Sequence, residues 1–107
     1  GVELIDNLRA GCAGTIPGVE CCDLQVQIYN SWRSGDHSAA TTQFRHAWPL
    51  LSYLMLTIDH LLCYGKRLAA QRLGIAQVHD RQPAMAARAV DLDTLVFWSR
   101  HLEPLPE

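Results

Sequence analysis

Charge is scarce in this chain, and lysine is the scarcest of all. Lys66 is the one lysine among 107 residues, and Asp, Glu, Lys and Arg together make up 19% of the sequence, against about 25% in a typical globular protein. A surface so lean in charge leaves apolar area that needs a partner. Nine Lys and Arg stand against eleven Asp and Glu, for a net charge of -2. With no basic run and no aromatic stripe interleaved with arginines, nucleic acid is not expected as the main ligand. No window approaches ~18 uninterrupted apolar residues, and no basic segment precedes an apolar one at the start, so neither a membrane span nor a signal peptide is predicted. The expected compartment is the cytoplasm. The four cysteines, Cys12, Cys21, Cys22 and Cys63, form no C-x-x-C pair, and the adjacent Cys21 and Cys22 bridge only with strain, so reduced thiols are expected.

What is present is mostly helical pattern. Val2, Leu4, Ile5 and Leu8 share one face of a helix over residues 2–9 that stops at Ala10-Gly11. This pattern is already running at Gly1 with no cap before it, so the sequence predicts a start cut from something longer. Residues 13–16 read as a short strand, closed by Pro17-Gly18. Asp23 is a candidate N-cap for a helix with Leu24, Ile28 and Trp32 on one stripe, and Ser34-Gly35-Asp36 stops that helix and opens the next. Phe44, Trp48, Leu51, Met55, Ile58 and Leu62 then recur in steps of four and three, the spacing of a packing seam. Pro49 is expected to kink or divide this long helix, with a restart near Thr57. The seam continues through Leu61, Leu68 and Leu73 to a stop at Gly74. After a linker without clear period, a last helix opens at Asp91 with Leu92, Leu95, Val96 and Trp98 inside, and Pro104 and Pro106 end it. The chain, one domain at most, thus reads as mainly α with one lone strand.

Several chemistries can be weighed against this frame. The glycines of GCAGTIPG (residues 11–18) fit neither phosphate-binding spacing and do not lead into a helix start. His37, His46, His60, His79 and His101 lie on different segments, and His60 with Cys63 supplies two donors at i, i+3 where zinc needs more, so no metal site is expected. Cys21 or Cys22 lies in a loop but shows no base beside it. Lys66, next to Arg67 on an amphipathic helix, reads as an ion-pairing or capping residue and not as a desolvated nucleophile.

The order of features carries more than any one motif. Glu3-Leu4, Gly11, Gly14-Thr15-Ile16, a helix ending in Ser34-Gly35-Asp36, Ala40, Trp48-Pro49-Leu50, Lys66-x-x-Ala69, Leu73-Gly74-Ile75 and Arg81-x-Pro83 follow one another along the chain. In that order they resemble the C-terminal part of the dihydrodipicolinate synthase and N-acetylneuraminate lyase family. The segments TIPGVECCDLQVQIY and TIDHLLCYGKRLAAQRLGI look closest to its 2-keto-3-deoxy sugar acid branch. The resemblance implies a C-terminal fragment of a (β/α)8 TIM barrel, a fold of about 250 residues. Residues 1–35 would be the last barrel strand with its flanking helices, and 36–107 the C-terminal helical extension. It implies a homo-oligomer, dimer or tetramer, whose whole barrel acts on pyruvate or another 2-keto acid through a lysine Schiff base, with no further cofactor. Ile16 matches the position whose main-chain carbonyl lines the keto-acid pocket. The family's catalytic lysine and tyrosine match nothing here, so no catalytic residue is expected in this chain, and Lys66 aligns outside the site. The alternative is a non-catalytic helical oligomerisation or interaction module.

Overall fold

A computed structural model describes residues 1–105. The element order is α1 (Leu4–Arg9), a 3-10 turn (Val19–Cys21) running into α2 (Cys22–Arg33), and α3 (His37–Leu54). A continuous rod follows, made of α4 (Ile58–His60), a π turn (Leu61–Gly65) and α5 (Lys66–Arg72), and α6 (Ala89–Ser99) comes after an irregular linker. The protein is mainly helical.

The helix stops fall where glycine allows them. Gly11, Gly35 and Gly74 have φ of 91°, 87° and 69°, a region that L side chains avoid. At each, the following N–H reaches back five residues, from Cys12 to Asn7, Asp36 to Ser31 and Ile75 to Ala70, closing a Schellman motif. Asp36 then starts α3 by accepting from the N–H of Ala39 at 2.9 Å. Thr57 starts α4 in the same way, accepting from the N–H of His60 at 3.0 Å. With only three residues between them, α2 and α3 form a helical hairpin, tied by Ser31 to Gln43 and by the stacking of Trp32 on His37 with centroids 4.0 Å apart. Leu4 and Leu8, Ile28, Leu50 and Leu54, Tyr64 and Leu68, and Leu95 meet in one core.

Five sequence expectations are corrected. The strand over 13–16 is absent: residues 12–18 carry no regular structure. A lone strand has no neighbour to take its N–H and C=O groups, and here the Ala13 carbonyl accepts from the Tyr29 hydroxyl of α2 at 2.9 Å. Asp23 is not the cap of α2, which begins one residue earlier with Cys21 before it; the Asp23 carboxylate is taken by a buried arginine. Pro49 does not divide α3, which runs unbroken to Leu54, and the break falls at residues 55–57. That break re-phases the chain, so the expected seam does not stay together: Leu51 is buried while Trp48, Met55, Ile58 and Leu62 are exposed. Finally, α6 begins at Ala89, and of the residues expected inside it only Leu95 is buried; Leu92, Val96 and Trp98 are exposed. A helix that is apolar on several sides does not disclose which side its own chain covers. The stop expected at Pro106 lies outside the described residues.

Candidate functional site

Ile16, the residue singled out by the resemblance, is 100% exposed. It stands on the rim of a cleft of about 160 Å3 whose walls include Gly18, Glu20, Gln25, Leu54 and Leu61. Gln25 projects from α2 beneath it and is 3% exposed, and its Oε1 has no donor among the described residues. A buried acceptor without a donor costs roughly 1–3 kcal/mol. It is the polar atom in this cleft with an unmet need.

Glu20 and Leu61 also border a larger cleft of about 490 Å3 between the π turn and the linker, where Leu62, Cys63, Lys66, Asp80, Arg81 and Met85 line the walls. A π turn widens the helix by one residue per turn and is a frequent feature of functional sites. Lys66 does not present a free amine to this space. Its Nζ lies 2.6 Å from Asp80 Oδ1 and donates to the His79 carbonyl at 2.8 Å. Arg67 grips the same carboxylate at 3.2 and 2.6 Å. The hydrogen bonds from Arg67, then those from Lys66, hold the Asp80 carboxyl well below the usual carboxylate range. A Schiff base forms from an amine with its lone pair free, and an ammonium donating to a carboxylate and a carbonyl has none to offer. Lys66 and Arg67 clamp the linker onto the rod.

The cysteines follow the same pattern of structural use. Cys21 is fully buried, and burial first, with the Glu20 charge next, pushes its thiol up to about 12, which leaves almost no thiolate to act as a nucleophile at neutral pH. Cys63 is buried, Cys22 half-buried and Cys12 exposed. Among the described residues no three His, Cys, Asp or Glu side chains converge as a metal site requires, and no helix is long and apolar enough to cross a membrane.

A second polar cluster joins the π turn to α6. The Tyr64 hydroxyl donates to Asp91 Oδ2 at 2.9 Å and accepts from the N–H of Arg88 at 3.1 Å, while the Tyr53 hydroxyl donates to the Asp91 carbonyl at 2.6 Å. Arg88 Nε lies 2.5 Å from Asp91 Oδ2 and holds that carboxyl below its ordinary value. Burial pushes the Tyr53 hydroxyl up to about 12, so it stays protonated and donating. His60 packs against both rings, with centroids 4.7 Å from Tyr53 and 4.5 Å from Tyr64. Its Nε2 is buried without a partner among the described residues, and burial lowers its pKa from 6.5. The unfolded chain therefore binds the proton more readily than the folded one. His60 thus contributes stability that is present above about pH 6.5 and lost as pH falls through the folded value. Urea midpoints at about pH 7.5 and about pH 5.5 should show the drop in the parent chain and a smaller one in His60→Phe; an equal drop in both would remove His60 from this role.

Set against family models, curated proteins and solved structures, the chain matches none.

The groups with the most complete hydrogen bonding were not singled out by the sequence. Arg72 is 4% exposed and sits at the end of the apolar run LAAQRL. Its guanidinium donates to Asp23 through two bonds of 2.8 and 2.6 Å, to the Glu20 carbonyl at 2.8 Å and to the Glu103 carbonyl at 2.9 Å. The one hint is an arginine at a position where helical spacing asks for a core residue. Gln25 carried no such hint.

Proposed function

We propose that this chain is the C-terminal portion of a cytoplasmic lyase that acts on 2-keto acids through a lysine Schiff base. In that chemistry a lysine amine attacks the C2 carbonyl, water leaves, and the resulting iminium draws in the electrons of the bond that breaks next, whether C–C or C–O. The lysine belongs to a part of the barrel outside residues 1–107, since Lys66 is held by Asp80 and His79. This chain's share is the main-chain rim at Ile16 and the helical extension. The observation that supports the reading is the state of residues 12–18: a Gly- and Pro-bounded apolar stretch, without regular structure and with Ile16 wholly exposed, where the reading requires a strand whose pairing partners are supplied from elsewhere.

The apolar faces left open on α4, the π turn and α6, with Ile58, Leu62, Val90 and Val96 each more than half exposed, favour a second reading, a non-catalytic helical oligomerisation or interaction module. The two readings part in solution. A barrel fragment has lost cover for side chains worth roughly 1.5–3 kcal/mol each when buried, so sedimentation at low micromolar concentration should find a dimer or larger species. A stable monomer with one cooperative thermal transition would contradict both the fragment reading and an oligomerisation role, and leave an independent interaction module.

A further inference from the structure

We propose that the groove between α3 and α6 is a binding site for a small aromatic carboxylate. The groove encloses about 510 Å3 and is lined by Arg45, His46, Pro49 and Leu50 from α3, and by Phe97, Trp98, Arg100 and His101 at the end of α6. That volume suits a ligand of modest size. Leu50 is buried, while Phe97 and Trp98 meet edge to face at 4.9 Å and are 51% and 37% exposed, so both aromatic rings keep open surface among the described residues. Chemistry at the rim has one sign. Among the described residues two arginines and two histidines line the groove and no acidic side chain does, in a chain whose net charge is -2.

The two arginines are also unspent. Arg67, Arg72 and Arg88 each hold an aspartate, whereas among the described residues neither Arg45 nor Arg100 has a carboxylate partner. Arg100 lies over the Phe97 ring at 4.8 Å, which fixes the guanidinium plane beside the apolar floor. A planar guanidinium matches a carboxylate through two parallel hydrogen bonds, and an aryl group attached to that carboxylate stacks on Phe97 and Trp98. Uncharged aromatics satisfy the floor and leave the rim unpaired. Inorganic anions do the reverse. An aromatic carboxylate meets both demands, and the site is independent of the lyase reading.

Titration calorimetry with 1-naphthoate, and with its uncharged counterpart 1-naphthylmethanol, tests the proposal on the chain as it stands. Naphthoate should bind with a Kd of about 0.1–1 mM and at least about fivefold more tightly than the alcohol, with the preference shrinking as salt is raised. The double variant Arg45→Gln/Arg100→Gln should lose the preference while retaining the alcohol affinity. Trp98→Leu should weaken both probes alike. All three positions are exposed, and an unchanged helical circular dichroism spectrum checks that the variants fold. Absence of saturable binding at millimolar naphthoate, equal affinity for the two probes, or a preference that survives the double arginine variant would each overturn the proposal.

Discussion

Replacing Asp23 by alanine is expected to remove about 3–5 kcal/mol of folding stability, a fall in Tm of about 15–25 °C for a domain of this size. The reason is what it leaves behind. The Arg72 side chain is 3% exposed and Asp23 is its one carboxylate partner among the described residues; without it, a guanidinium is stranded in the interior with two backbone carbonyls for company. The reciprocal change is expected to be milder. Arg72→Met keeps much of the stem volume and leaves an Asp23 side chain that is 32% exposed and can be rehydrated, so about 1–3 kcal/mol is lost, chiefly from the Glu20 and Glu103 carbonyls that lose their donor. Urea unfolding of the two variants reads the asymmetry directly, and an equal or reversed order would mean that the pair is not buried on the arginine side. Acid provides a second readout. Hydrogen bonds from Arg72 lower the Asp23 pKa below 3.8, so its contribution is present above about pH 3.8 and disappears as pH falls through the folded value. The parent and Asp23→Ala curves should converge in acid.

The second large effect is expected at Tyr64, which is fully buried and lies in the π turn. Tyr64→Ala should cost about 3–5 kcal/mol, the range for emptying an aromatic site in a packed core. Tyr64→Phe isolates the hydroxyl. It leaves the Arg88 N–H without its acceptor and Asp91 with one donor fewer, and should cost about 1–2 kcal/mol. Because Tyr53 bonds the same aspartate through its carbonyl, the double variant Tyr53→Phe/Tyr64→Phe should depart from the sum of the single changes. Additivity would indicate that the two hydroxyls act on Asp91 independently and not as one coupled cluster.

These two sites also mark the boundary of what the sequence made legible. Stops at Gly11, Gly35 and Gly74 and starts at Asp36 and Thr57 are local events, settled by the conformation of one residue and the reach of one short side chain, and all five could be read from neighbouring letters. The Asp23–Arg72 pair spans 49 positions, so Asp23 was read for its local capping chemistry while its partner lay two helices away. The strand at 13–16 was read from residue types whose extended form depends on a neighbour, and none is present to pair with it. Pro49 shows the converse. The bond it forfeits is to the Arg45 carbonyl, and both residues border the open groove, where the freed oxygen can meet solvent and the helix continues. For the candidate site, Ile16 was reached by resemblance and Lys66 by its position beside Arg67; His60 was weighed only as a metal donor and its packing against two tyrosines was not foreseen, whereas Gln25 became visible only once burial was known.

The lyase reading is tested most directly by reductive trapping. Full-length product of the reading frame that encodes these residues, incubated with pyruvate and reduced with borohydride, should gain covalent mass at a lysine outside residues 1–107, and the isolated chain treated in the same way should gain none. A stable adduct at Lys66, or no adduct anywhere in the full-length product, would contradict the account.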